Sequence, residues 1–317
     1  MKWIALAMAP VILAAPYTYP FNPPPPRPTV SFPRLENPFY PRPTTPPAPT
    51  TTLTTTQPPV TTPPVTSPPA PTTLLWEDQF NGNGAVDPNN WGFQIGRWGA
   101  TSGEQQYYTD STNNASVNGG SLNITARKER PPDRKGTPNN FTSARVVSIG
   151  KQSVTPPVRL EASIRMPQQA GLLPAFWLLG LEPGHEYSWP RQGEIDIVEI
   201  PGTYGPSFNI HGPAVNNSNT DIKTGSDIPP LSDGFHTYRV DWYPDRITWF
   251  VDGTAHYTVT KAQYEAMGGN WTPFSGAWPH YVLFNLAVGN DWVGKVPAST
   301  RFPQTMSVDW VKASRIN

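Results

Sequence analysis

From Leu74 onward the chain alternates apolar and polar residues in short runs: Ser121–Arg127, Val158–Met166, Ala175–Leu179, Phe235–Tyr243, Arg246–Asp252 and Met306–Ala313. A two-residue period sends successive side chains to opposite faces, so each run predicts a strand with one buried face. Pro244-Asp245 and Asp252-Gly253 supply turns between such runs. Helical periodicity is almost absent, and only Lys261–Met267 predicts a short helix. Many short, one-sided strands predict an all-β domain over residues 74–317, built as a two-sheet antiparallel β-sandwich.

The first 73 residues carry no such pattern. Met1-Lys2, the apolar stretch Trp3 to Leu13 and then Ala14-Ala15 read as a signal peptide over residues 1–15. The apolar stretch is too short to span a membrane, so the expectation is a secreted protein. Residues 16–73 are dominated by Pro and Thr and hold too little apolar surface to offset the entropy of ordering. They predict a disordered, extended linker without a fold of its own.

One strand pattern departs from regular alternation. In Gly193-Glu194-Ile195-Asp196-Ile197-Val198-Glu199, Glu194 and Asp196 share a face, with Ile195 and Ile197 directed to the core. Glu199 is five positions from Glu194, and a regular strand would drive it inward, at a cost of several kcal/mol or its charge. A β-bulge near Ile197 or Val198 shifts the phase and returns Glu199 to the face of the other two acids. Crowded carboxylates drive one another's proton affinities apart. One ionised and one protonated carboxyl about 5–5.5 Å apart are what retaining glycoside hydrolysis requires.

Composition narrows the partner. Lys plus Arg equals Asp plus Glu at 23 each, which disfavours nucleic acid or a membrane surface as partner. The chain carries 12 Trp, 12 Tyr and 13 Phe, a composition suited to stacking on an uncharged polysaccharide. No cysteine is present, so disulfides and thiolate metal sites are excluded. No zinc-spaced His cluster and no Gly-rich phosphate loop occur. Nothing calls for a second subunit, so a monomer is expected. Sequons stand at Asn114, Asn123, Asn140, Asn216 and Asn270.

The 193–199 stretch resembles the signature of glycoside hydrolase family 16, and the extra Val198 resembles its laminarinase-like branch. Trp76–Gly82, Ser102–Thr109 and Phe141–Arg145 resemble further blocks of that family, extending the likeness over roughly 74–317. The resemblance implies a jelly-roll sandwich in which Glu194 is the nucleophile, Asp196 assists and Glu199 is the acid/base. It places His211 beside the carboxylates as an assisting residue that hydrogen-bonds Asp196 or substrate, and Asn285 matches a further family block as a sugar contact or a strand hydrogen-bond partner. Trp189, five residues before the acids, is read as a stacking platform. Trp177 and Arg145 are read as substrate-binding or as packing and ion-pair residues, and Trp278 and Trp292 as further stacking candidates. No cofactor is required. A structural Ca2+ is implied between the first and last strands, on oxygens near Glu77, Gly119 or Gly120 and on Asp309, as a hard cation prefers. The implied activity is a secreted endo-β-1,3-glucanase, or one acting on mixed β-1,3/1,4-glucan. A non-catalytic glucan-recognition protein and a transglycosylase on the same fold are the alternatives.

Overall fold

A computed structural model describes residues 70–130 and 140–317. The expected signal peptide and most of the expected linker lie outside these residues. Two large antiparallel sheets dominate. The first has seven strands in the order β12 (Asn217–Asp227), β11 (Ser207–Ala214), β10 (Glu194–Glu199), β9 (Leu172–Gly180), β16 (His280–Val288), β7 (Arg145–Val147) and β2 (Gly92–Phe93). The second runs β15 (Thr254–Thr260), β14 (Arg246–Val251), β13 (His236–Tyr243), β8 (Val158–Arg165), β17 (Gln304–Ile316), β5 (Ser121–Ala126) and β4 (Ala115–Asn118), with β1 (Thr72–Asp78) paired to β17. A short parallel pair, β3 (Tyr107–Tyr108) and β6 (Thr142–Ser143), lies beside them. The two-sheet sandwich is as expected, and each of the six alternating runs falls on a strand.

The inward faces of both sheets make one core. Phe176, Leu178, Ile195, Ile210, Val282 and Phe284 from the first sheet bury against Leu160, Val240, Trp242, Trp249, Val308 and Val311 from the second. Burial of that apolar area supplies most of the stabilisation, about 25 cal/mol per Å². Among the described residues the one α-helix, α1 (Lys261–Ala266), begins where its sequence says it should. Thr260 Oγ1 accepts from the Gln263 amide at 3.3 Å, and the Gln263 side chain accepts from the Thr260 amide at 2.9 Å, a capping box.

Two features differ from expectation. The ordered strand begins at Thr72, two residues before the expected boundary, because Thr72 and Thr73 pair with Ile316 and Arg315 at the end of β17. Ladder hydrogen bonds run through the backbone, so polar Thr side chains do not prevent them. Strand β12 is polar apart from Ile222 and Gly225 and offered no alternation, yet it extends the first sheet through eight register pairs with β11. Among the sequons, Asn114 is buried and its Nδ2 donates to Thr125 and Thr142. Asn123 donates to the carbonyls of Asn118 and Ser121. Neither amide is free to carry a glycan, whereas Asn140 and Asn216 are exposed.

Candidate active site

The expected bulge is present. Along β10, Asp196 pairs with Asn209 of β11 and the next pair is Glu199 with Ser207. Three residues therefore advance on β10 against two on β11. Against β9, Asp196 pairs with Trp177 and Val198 with Phe176. Ile197 and Val198 are consecutive and both fully buried, so the bulge turns two neighbouring side chains inward. It also frees the Asp196 carbonyl, which accepts a hydrogen bond at 2.8 Å from Trp249 Nε1 on the opposite sheet. A buried carbonyl outside the ladder needs such a partner.

Directly paired residues of antiparallel strands share a face, so the register gives the outward floor of the first sheet. One row is His211, Glu194, Leu179 and Tyr281; the next is Asn209, Asp196, Trp177, Leu283 and Val147; the third is Ser207, Glu199, Ala175, Asn285 and Arg145. All three acids and all five expected substrate contacts except Trp189 are on this floor. Trp189 joins them from the preceding loop: its Nε1 donates to Glu194 at 3.1 Å, and its ring lies 5.7 Å from that of His211.

The electrostatics separate the three carboxyls. Asp196 is buried, and burial first, then the charges of Glu199 and Glu194, raise its pKa well above the ordinary carboxylate range. A hydrogen bond with Glu194 adds to that rise. Burial and the charge of Glu194 push Glu199 up to about 7, while Asn209 donates to it at 3.1 Å. His211 Nδ1 contacts Asp221 at 2.8 Å, and its Nε2 stands 3.7 Å from Asp196. Burial lowers the His211 pKa, but Asp221 and Glu194 outweigh it and leave the imidazole above its ordinary value. Glu194, Asp196 and His211 bring ligand atoms within 4.8 Å of one another, a spacing a cation can use.

A second network extends across β9, β16 and β7. Trp177 Nε1 donates to Asn285 at 2.7 Å, Asn285 donates to the Tyr108 hydroxyl at 3.3 Å, and Tyr108 donates to Glu104 at 3.2 Å. Desolvation raises the Glu104 pKa, with Arg145 opposing it. The Arg145 guanidinium lies over Trp177 at 4.6 Å and over Trp98 at 5.5 Å, and its buried Nε has no hydrogen-bond partner among the described residues. A row of rings with unspent polar atoms between them is suited to sugar faces and hydroxyls. Trp278, by contrast, spends its Nε1 on the Gln192 carbonyl at 2.8 Å, a packing role.

Glu104, Tyr108, Asn209, Asp221 and Lys223 were not singled out from the sequence. Glu104 and Tyr108 lie in a block that resembles the family, but nothing local shows that they meet Asn285. Asp221 and Lys223 lie on polar β12, where no hydrophobic pattern marks a strand. The expected calcium donors are brought toward one junction. Val308 of β17 pairs with Leu122 of β5, just past the Gly119-Gly120 turn, and Val311 pairs with Asp78 of β1. Asp309 lies between them.

Comparison with known proteins agrees with this geometry. Residues 102–312 match the model of glycosyl hydrolases family 16. A beta-glucanase of Rhodothermus marinus is 35% identical over 76% of this chain and 85% of its own length. A glucan endo-1,3-beta-glucosidase of Cryptopygus antarcticus is 34% identical over 75% of this chain and 87% of its own. The crystal structure of an endo-beta-1,3-glucanase from Pyrococcus furiosus superposes with a TM-score of 0.69 at 38% identity, over 78% of this chain and 95% of that one. With the acid strand, its bulge and the flanking floor all in register, the chain belongs to glycosyl hydrolases family 16.

Proposed function

We propose that this glycoside hydrolase is a secreted, monomeric endo-β-1,3-glucanase that works by double displacement with retention. The observation that carries the reading is the bulged strand β10, which sets Glu194, Asp196 and Glu199 on one open face with different proton affinities. The Glu194 carboxylate attacks the anomeric carbon. The bond to the leaving sugar breaks, and Glu199 gives its proton to the departing oxygen. Water then loses a proton to Glu199 and attacks the glycosyl-enzyme, which releases Glu194. Asp196 donates a hydrogen bond to Glu194 and keeps the nucleophile aimed, and His211 supplies positive charge beside it. Trp189, Trp177, Asn285 and Arg145 hold the sugar chain. The activities named for the relatives above support β-1,3-glucan as the substrate. An uncharged chain also matches a protein of zero net charge. Secretion rests on residues 1–15; among the described residues no helix is long and apolar enough to cross a membrane.

Product analysis on laminarin, lichenan and carboxymethylcellulose tests the reading, with the anomeric proton of the first product followed by NMR. Oligosaccharides from laminarin with the β-anomer formed first are expected. Binding without cleavage would instead indicate a recognition protein, and longer products than substrate a transglycosylase. The pH dependence is a second check. Glu199 must be protonated to act as acid, and its raised pKa keeps it so up to about pH 7. kcat/KM is therefore expected to fall tenfold per unit as pH rises beyond roughly 7. A profile still flat at pH 9 would exclude Glu199 as the acid.

The residues also suit a structural Ca2+. The donor set of backbone carbonyls near Glu77 and Gly119 with the Asp309 carboxylate is all oxygen, and the strand register converges on it. A chelator is expected to lower Tm by several degrees and added Ca2+ to restore it, whereas Asp309→Ala should abolish that response.

A further inference from the structure

Strand β12 brings a cation to the acid face. Lys223 pairs with His211, so both side chains project over the floor of the first sheet. The next position on that face is Gly225, opposite Asn209, where a Cβ would meet the Phe208 carbonyl at 2.2 Å and Asn209 Oδ1 at 2.4 Å. The glycine lets β12 pack closely against Asn209, the residue that donates to Glu199. The Lys223 ammonium lies 5.2 Å from the ring of Trp292. Trp292 belongs to the loop after β16 and is half exposed. That loop is anchored at the Glu199 end of the sheet: β16 ends at Val288 opposite Leu172, and the Asp291 amide donates to the Ser102 carbonyl. The lysine thus reaches from the outermost strand, along the acids, to an aromatic wall contributed by a distant loop.

We infer that Lys223, braced on Trp292, is a positioning residue for this hydrolase that sets the electrostatics of the acid/base Glu199, while Trp292 provides a sugar platform on the β12 side of the carboxylates. The inference rests on the proposed catalytic roles and adds to them a subsite opposite the Trp177, Asn285 and Arg145 network. The charged groups around Glu199 are Glu194 and Asp196 on its own strand, His211 on β11, Asp221, Lys223 and Asp227 on β12, and Asp291 on the loop; β9 contributes none. Of these, Lys223 and His211 are the cations that favour ionised Glu199, acting against burial and Glu194. Lys223 also opposes the rise in Asp196 and disfavours the charged form of His211. Removing it therefore leaves His211 at least as positive and changes the acids directly. A lysine held on an indole face keeps its charge and loses mobility, which suits a fixed electrostatic role.

The test is the pH profile of laminarin hydrolysis by Lys223→Met, Lys223→Arg and Trp292→Ala, with Tm measured for each. Lys223→Met keeps the stem and removes the charge. Its alkaline limb of kcat/KM is expected to move up by about half a unit or more, with Tm unchanged because the residue is exposed. Lys223→Arg is expected to return the limb to its parent position. Trp292→Ala is expected to raise KM several-fold with kcat little changed. The assignment fails if Lys223→Met and the parent have coincident limbs at equal Tm, or if Trp292→Ala leaves KM unaltered. A parent protein that does not cleave laminarin at all would instead remove the underlying function, which separates the two failures.

Discussion

Glu194→Gln is expected to lose glucan hydrolysis by roughly four to six orders of magnitude with little change in Tm, because it removes the nucleophile itself. The fold does not depend on that charge: Trp189 Nε1 donates to the carboxylate, and the Gln carbonyl accepts the same hydrogen bond. Glu199→Gln should lose roughly 10²–10⁴-fold through the missing proton transfer. It also removes a charge crowded against Asp196 and Glu194, so its stability should be unchanged or slightly higher. The two roles can be told apart with azide and an activated substrate. Glu194→Ala should yield an α-glycosyl azide in one inverting step, since azide takes the place of the missing nucleophile. Glu199→Ala should yield the β-glycosyl azide, since azide then attacks the intermediate still formed on Glu194. The same anomer from both variants, or near-parental turnover in either, would overturn the assignment.

Deletion of Val198 is the second large effect. It leaves Glu194 four residues from the following Glu, an even spacing that a regular strand places on one face without a bulge. The chain should therefore still fold and still gather three acids. Two costs follow from the structure. A fully buried core side chain is lost, and the Asp196 carbonyl is drawn away from Trp249 Nε1. The acid/base changes its angle to the nucleophile, and a misplacement of about 1 Å is worth roughly 100-fold in rate. A folded, destabilised protein with activity reduced about 100-fold is expected. Val198→Ala keeps the residue count and the bulge, so it should cost roughly 2 kcal/mol of stability through the cavity it opens while kcat stays within a few-fold. Circular dichroism, thermal melts and laminarin kinetics on the pair decide the matter. If Val198→Ala is as inactive as the deletion, packing at Val198 and not the phase shift of the bulge positions Glu199.

The sequence by itself determined the fold class, the helix, the acid strand and its bulge, because each of these is a local pattern. A two-residue period records which face of a strand is buried, and an acid at an odd position breaks that record in a way only an inserted residue mends. Thr260 and Gln263 cap a helix through atoms three residues apart. The resemblance to the family motif then implied roles for Glu194, Asp196 and Glu199. What only the tertiary structure decided are relations between residues far apart in the chain. Tyr108 reaches Asn285 across 177 positions, and Trp249 caps the Asp196 carbonyl from the other sheet. Polar β12 is held by backbone hydrogen bonds to β11, and these leave no trace in side-chain polarity. Asp221 and Lys223 therefore carry no local sign of a site, although Asp221 contacts His211 and Lys223 pairs with it across the ladder. Proton affinities belong to the same class. Whether a carboxyl keeps its proton depends on burial and on charges gathered from three strands, and those exist only once the sheet has formed.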